Sequence, residues 1–277
     1  MFNRDQRALT PYAPFPSIKR LYVASAYPTY VMDLFVTFPN ICELCMIKCS
    51  NPEYPHDGVD LLSPPQLHSL IFSSCPIDSL LRPFIGKRII PTNLFAIEGL
   101  RHDDVPVVGV YFSMFGDVLR GIRIGFDCNH RGPDVLGTSD VTFRSAITHL
   151  LFPSARFCDD ARLECLTGLR YLTINTGYYT GYYSQRFSAR HIKLLVSILE
   201  KIPSSTLQKL HIEIPTPSST MPRMSRWHRI GEVLQQRGFP QLTELVFIPS
   251  LKPCEYFERW IREDLHVLDE RGILSVR

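Results

Sequence analysis

The chain lacks an excess of either charge, an apolar run long enough to span a membrane, and any compact catalytic signature. Lys plus Arg number 30 against 27 Asp plus Glu, for a net charge of +3 over 277 residues. No basic run reaches five residues, so neither nucleic acid nor an anionic membrane is expected as a partner. No window approaches the roughly 18 apolar residues of a membrane span. The opening segment MFNRDQRALTPYAPFP has no continuous apolar stretch, which argues against a secretory signal. The eight cysteines fall at irregular spacing in a chain too long to need stapling, so reduced thiols in the cytosol or nucleus are expected. There is no G-x-S-x-G, no GKS/T phosphate loop and no G-x-G-x-x-G after a strand, and none of the nine histidines is paired as H-E-x-x-H. No cofactor is therefore expected, and the chain reads as a non-enzyme. The alternative is an α/β, hydrolase-like enzyme whose carboxylates meet only in the fold.

What is present is ordinary in amount and unusual in order. An apolar content of 45% with 21% charged residues supplies a sizeable core. One pattern recurs: apolar, two variable, apolar, one variable, apolar. It appears as Ile18-Leu21-Val23, Ile41-Leu44-Met46, Leu67-Leu70-Phe72, Leu119-Ile122-Ile124, Leu169-Leu172-Ile174, Leu207-Leu210-Ile212 and Leu242-Leu245-Phe247. Leu94-Ile97-Gly99 and Ile147-Leu150-Phe152 are weaker copies. Successive leads stand 23, 26, 27, 25, 28, 22, 38 and 35 residues apart, mostly within the 20–29 residues of a leucine-rich repeat. The lead-ins agree. Proline stands two residues before the lead at Pro16, Pro39, Pro65 and Pro240, with Phe before it at Phe15, Phe38 and Phe239. Proline there stops a helix and starts an extended segment. The ninth position, Asn or Cys in the consensus, is Cys49 and Cys75 in the second and third copies.

Between these strands the periodicity predicts helices over Tyr30–Phe38, Ile77–Lys87, Ser188–Ile202, Met224–Arg237 and Tyr256–Glu270, with stops at Gly238 and Gly272. A last strand is expected over Ile273–Val276. The fold class that follows is α/β: a leucine-rich-repeat-like solenoid with a curved parallel sheet and helices on its convex side. It forms one domain over residues 1–277, with about nine irregular repeats and an extension at 1–14.

Such a unit buries one face of its sheet and leaves alternate residues on the other. The third, fifth and seventh positions of each copy point outward: Arg20 and Tyr22, Glu43 and Cys45, Ser69 and Ile71, then Arg123, His149 and Glu244. The strongest candidates for partner contact are Tyr171, Thr173, Asn175, Lys209, His211 and Glu213. Tyr178, Tyr179, Tyr182 and Tyr183 of the run GYYTGYYSQR join them, because rigid amphipathic rings serve recognition well. Mixed charge with aromatics suits a protein partner. The bland reading is that many of these residues are solvated and half of the tyrosines pack on a helix.

Two clusters invite chemistry. Cys42, Cys45 and Cys49 with His56 have the look of a metal motif, but the repeat points the three thiols apart, and no metal is expected. Asp127, Cys128, His130 and Asp134 follow a strand and read as turn residues rather than a site.

The Phe-Pro-x-Ile/Leu lead-ins carry a resemblance, as does the closing run FPQLTELVFIPS from Phe239. A helix bearing Trp260 and then LDERGILSV complete it. Together they resemble the F-box and leucine-rich-repeat-like proteins of mushroom-forming fungi. The resemblance covers the repeats, and no Leu-Pro-x-Glu segment of an F-box stands before Pro16. It implies recognition by the repeats, as in the substrate-binding part of a ubiquitin-ligase adaptor. A degenerate family member with no partner is the remaining reading.

Overall fold

Apolar residues two apart on a strand share a face, and that spacing organises the molecule. A computed structural model describes residues 14–25, 31–49, 65–127, 154–178, 189–203, 205–214, 227–249 and 255–277. Nine strands form one sheet in chain order: β1 (Arg20–Ala24), β2 (Glu43–Ile47), β3 (Ser69–Ser73), β4 (Leu94–Leu100), β5 (Gly121–Asp127), β6 (Tyr171–Tyr178), β7 (Lys209–Ile214), β8 (Glu244–Pro249) and β9 (Leu274–Val276). Every neighbouring pair is parallel. The expected α/β solenoid-like arrangement is therefore present, with each unit stacked only on the next.

The register turns the repeat into two side-chain ladders. Leu21, Leu44, Leu70, Phe95, Ile122, Leu172, Leu210, Leu245 and Leu274 form the first. Val23, Met46, Phe72, Ile97, Ile124, Ile174, Ile212, Phe247 and Val276 form the second. Both enter one continuous apolar core with the inner faces of the helices.

The fourth unit corrects the sequence frame by two residues. Phe95, not Ile97, stacks on Leu70, so the lead is Thr92 and not Leu94. A lead polar in type escapes an apolar pattern, although Thr92 Oγ1 is satisfied by the Leu67 carbonyl at 3.4 Å. The strand lead-ins confirm the frame. Lys19 O accepts from the N–H groups of both Cys42 and Glu43, Cys42 O from His68 and Ser69, and His68 O from Asn93 and Leu94. The weak copy at Ile147–Phe152 lies outside the described residues. β5 pairs directly with β6, so no strand of this sheet stands between them; the ninth strand is the closing one at Leu274–Val276.

One face of the sheet carries the helices α1 (Val31–Thr37), α2 (Ile77–Gly86), α3 (Val105–Phe115), α4 (Ser154–Asp160), α5 (Ala189–Lys201), α6 (His228–Gln236), α7 (Glu255–Asp264) and α8 (His266–Glu270). The expected helices are found at α1, α2, α5 and α6, and Gly238 and Gly272 take the positive φ of a stop. The expected helix over Tyr256–Glu270 is two. Leu265, at φ −114° and ψ 27°, leaves helical geometry between α7 and α8, and Arg262 pairs with Asp269 across the break. Helix α3, VPVVGVYFSMF, has no polar stripe to reveal it: Val105, Val107, Val108, Tyr111, Phe112 and Phe115 are buried, and its exposed side carries Val110 and Met114. No helix among the described residues is long and apolar enough to cross a membrane.

Candidate functional site

The uncovered face of the sheet is built by the same alternation that builds the core. Its rows run across the strands in register. One passes through Arg20, Glu43, Ser69, Leu94, Gly121, Tyr171, Lys209 and Glu244. The next passes through Tyr22, Cys45, Ile71, Ala96, Arg123, Thr173, His211, Val246 and Ser275. A third contains Glu98, Gly125, Asn175 and Glu213. The outward placement expected for Tyr171, Thr173, Asn175, Lys209, His211 and Glu213 is thus what the register gives. Tyr178 ends β6 opposite Asp127. Tyr179, Tyr182, Tyr183 and His149 lie outside the described residues.

Arg123 is the centre of this face. Gly121 and Gly125 precede and follow it on the same side of β5, so its long side chain has room to lie along the sheet. Its Nη2 donates to Glu213 Oε2 at 3.0 Å, reaching over β6 to β7. Its Nε is 3.0 Å from Glu98 Oε1 on β4, close enough for an ion pair though not aligned as a hydrogen bond. One guanidinium therefore ties three strands, β4, β5 and β7. Burial pushes the Glu213 carboxyl above the ordinary glutamate range; Arg123 opposes this and Glu98 adds to it.

A second knot closes the C-terminal end. Lys209 Nζ lies 2.8 Å from Glu244 Oε2, and Arg277 Nη2 3.2 Å from Glu244 Oε1. His211 Nε2, at 3.5 Å from the same carboxylate, is too far for a hydrogen bond. The Lys209 hydrogen bond holds the Glu244 carboxyl below the usual range. Sequence reasoning missed Glu98 and Arg277. The two-residue slip in the fourth unit hid Glu98, and Arg277 stands just past the last strand.

The cysteines show what the repeat does with thiols. Cys75 Sγ donates to Met46 O and Ser73 O, both at 3.3 Å, and Cys49 Sγ approaches Val23 O and Ile47 O at 3.8 and 3.7 Å. Each buried thiol thus stitches its own strand to the preceding one. Cys42 Sγ donates to Lys19 O, and Cys45 stands on the outward row. The three thiols serve three separate surroundings. Burial pushes the Cys75 thiol up to about 11. Of the second cluster, Asp127 ends β5, while Cys128, His130 and Asp134, like His56, lie outside the described residues.

Among the described residues, hollows open on the helix side. One of about 350 Å³ lies between α2 and α3, lined by Asp78, Arg82, Ile85, Pro106, Val107 and Val110. Another, of about 500 Å³, lies on α7 between Glu258, Arg259, Arg262 and Glu263. Their polar side chains pair with one another, as in Arg82 with Asp78 at 2.7 Å and Arg259 with Glu263 at 2.7 Å. Comparison with protein-family models, with curated proteins and with solved structures finds no match.

Proposed function

We propose that the chain is a non-catalytic protein-interaction scaffold whose uncovered sheet face receives a partner protein. The observation that supports this is the row structure. Successive parallel strands present side chains of both charges, with the exposed Tyr22 and Tyr171, on the face away from the described helices, in rows that also pass through the buried Ala96 and Val246. A surface built from many strands suits an extended partner better than a small substrate, which calls for a concave site with convergent polar groups. The charges are already balanced in pairs, which disfavours a phosphate backbone. The test is a crosslinking experiment. A photoreactive amino acid at position 173, in the middle of the face, should capture a partner in cells, whereas one at position 110, on helix α3, should not. Capture from position 110 alone would refute the assignment of the face.

The resemblance of the lead-ins and the closing run supports a narrower form, in which the face presents a substrate for a ubiquitin ligase. Co-purification of ligase subunits with the chain is the expected result. Their absence, with the crosslinked partner still present, would remove the ligase and leave the scaffold.

A further inference from the structure

The charges of the uncovered face balance in number but not in height. Arg20 has 79% of its side chain exposed and its partner Glu43 38%. Arg123 has 37%, against 21% for Glu98 and 19% for Glu213. Lys209 and Arg277 have 44% and 63%, while the Glu244 they share has 23%. In each of these pairs the cation stands outermost. On the helices the order is mixed: the cation is the more exposed in Arg82–Asp78, Arg259–Glu263 and Arg262–Asp269, the anion in Glu258–Arg262 and Asp159–Lys201. The nearer charge dominates at short range, because Coulomb energy falls with distance and water screens the rest. An approaching group therefore meets a positive surface, although the face has no excess of cations to attract a polyanion from afar.

We propose that this face binds an acidic protein segment. Its carboxylates meet the outer cations, Arg123 and Lys209 foremost, and Tyr171 stands beside Lys209 in register as the ring against which the segment packs. The proposal rests on the scaffold reading and adds the chemistry of the partner. It differs from nucleic-acid binding in a measurable way. Each of the four outer cations already has a carboxylate within 3.2 Å, and a peptide, unlike a phosphate backbone, carries no condensed counterions to release, so its binding depends less steeply on salt.

The experiment is a selection of displayed random peptides on the intact protein. The winning peptide is then synthesised and its affinity measured against variants checked for unchanged melting. The expected winners are rich in Asp and Glu. Lys209→Gln should weaken the winner about two- to fivefold, the range of exposed charge pairs. Glu244→Gln, which uncovers cations without removing any, should tighten it by a similar factor. That gain cannot come from misfolding. Neutral or basic winners that Tyr171→Ala weakens would overturn the acidic partner and leave the scaffold. Winners indifferent to all three substitutions, or no winners at all, would overturn both. An oligothymidylate that binds as tightly as the winning peptide, with a steep salt dependence, would replace the protein segment by nucleic acid.

Discussion

The units before and after β4 solve the same stacking problem with different chemistry. From β1 to β4 the first ladder residue recurs at 21, 44, 70 and 95, and the residue four further on has a positive φ: Ser25, Lys48 and Ser74 just past their strands, at 51°, 49° and 52°, and Gly99 inside β4 at its register shift, at 82°. Three of the four are not glycine, so the left-handed turn costs about 1 kcal/mol at each. It is kept because the turned residue's N–H reaches the next strand, as Ser25 N does to Ile47 O, Lys48 N to Ser73 O and Ser74 N to Glu98 O. The ninth side chain, Cys49 or Cys75, then drops into the core. From β5 onward the ladder recurs at 122, 172, 210, 245 and 274, and the residues four further on, Phe126, Thr176, Ile214 and Pro249, are not among the described residues of positive φ. β5 and β6 run on instead, through a register shift, and the eighth position of β5 is the buried Phe126, which meets Phe157 edge-on at 5.0 Å. In the second and third units the turn is followed by a small ninth residue, whereas in the fifth a helix residue, Phe157, packs against the end of the strand.

Their cores differ accordingly. A chain of rings links Phe35, Phe84, Phe72, Phe95 and Tyr111 through the first four units, whereas β6, β7 and α5 meet through Leu172, Ile174, Leu194, Leu195, Leu210 and Ile212. Phe72→Ala should cost about 3–5 kcal/mol and Leu210→Ala about 2–5 kcal/mol. The sharper measurement is the number of transitions in urea. One apolar core joins both regions, so each substitution should move a single cooperative transition read by both fluorescence and far-ultraviolet dichroism. Two transitions, with Phe72→Ala moving only one, would make the regions independent folding units.

The seam between the regions is the next place to break. Helix α3 passes so close to the end of α4 that a Cβ on Gly109 would sit 1.9 Å from Asp160 O, which is backbone and cannot swing away. In an open helix, Gly→Ala would stabilise by about 1 kcal/mol. Here Gly109→Ala should destabilise by about 3 kcal/mol, the upper end for overpacking. Gly86→Ala, with nothing within 4 Å of its Cβ, is the control. If Gly109→Ala were neutral or stabilising, the close seam would be wrong.

The thiols give a smaller effect. Cys75→Ala removes the thiol's donation to the Met46 and Ser73 carbonyls, the second of which keeps the Lys48 N–H, and should cost about 1 kcal/mol. With its thiol raised to about 11, native Cys75 should resist iodoacetamide at pH 8, as should Cys158, raised to about 12. Cys42, Cys45 and Cys165, which are only partly buried, should react before either. Peptide mass spectrometry after a timed pulse reads the order. Early labelling of Cys75 in folded protein would show that the ninth position is open.

These contrasts also show what the sequence could reveal. The two ladders were legible because burial on one face of a strand selects apolar residues two apart. The outward places of Tyr171, Lys209, His211 and Glu213 followed from the same alternation. The left-handed turn was not, since Ser25, Lys48 and Ser74 lack the glycine that would announce it. Thr92 hid the frame of the fourth unit, and with it Glu98. Helix α3 was hidden because its exposed side, with Val110 and Met114, is as apolar as its buried one, so no polar stripe marks it. The reach of Arg123 from β4 to β7 depends on two glycines and on strands 90 residues apart in sequence, a coincidence that only stacking creates.

The smallest expected effect separates the two knots of the uncovered face by sign. The Glu213 carboxyl lies above its ordinary range when folded, through burial first, so the folded state holds its proton longer than the unfolded chain. Stability from this group is present at low pH and is lost as pH rises from the ordinary glutamate range through the raised value. The Glu244 carboxyl lies below its ordinary range, through the Lys209 hydrogen bond first, so its contribution is present above that range and is lost as pH falls through the lowered value. Urea midpoints for Glu213→Gln and Glu244→Gln, taken from about pH 3 to pH 7 around the ordinary glutamate value of about 4.3, should therefore drift in opposite directions relative to the parent. The deficit of Glu213→Gln should shrink as pH rises, and that of Glu244→Gln should shrink as pH falls. The shift at Glu244 comes from pairing with the exposed Lys209 and Arg277, so screening by salt keeps its drift small, while the drift at Glu213, which comes first from burial, should persist in salt. Parallel drifts would mean that Arg123 outweighs burial at Glu213, and that the two knots are one kind of ion pair.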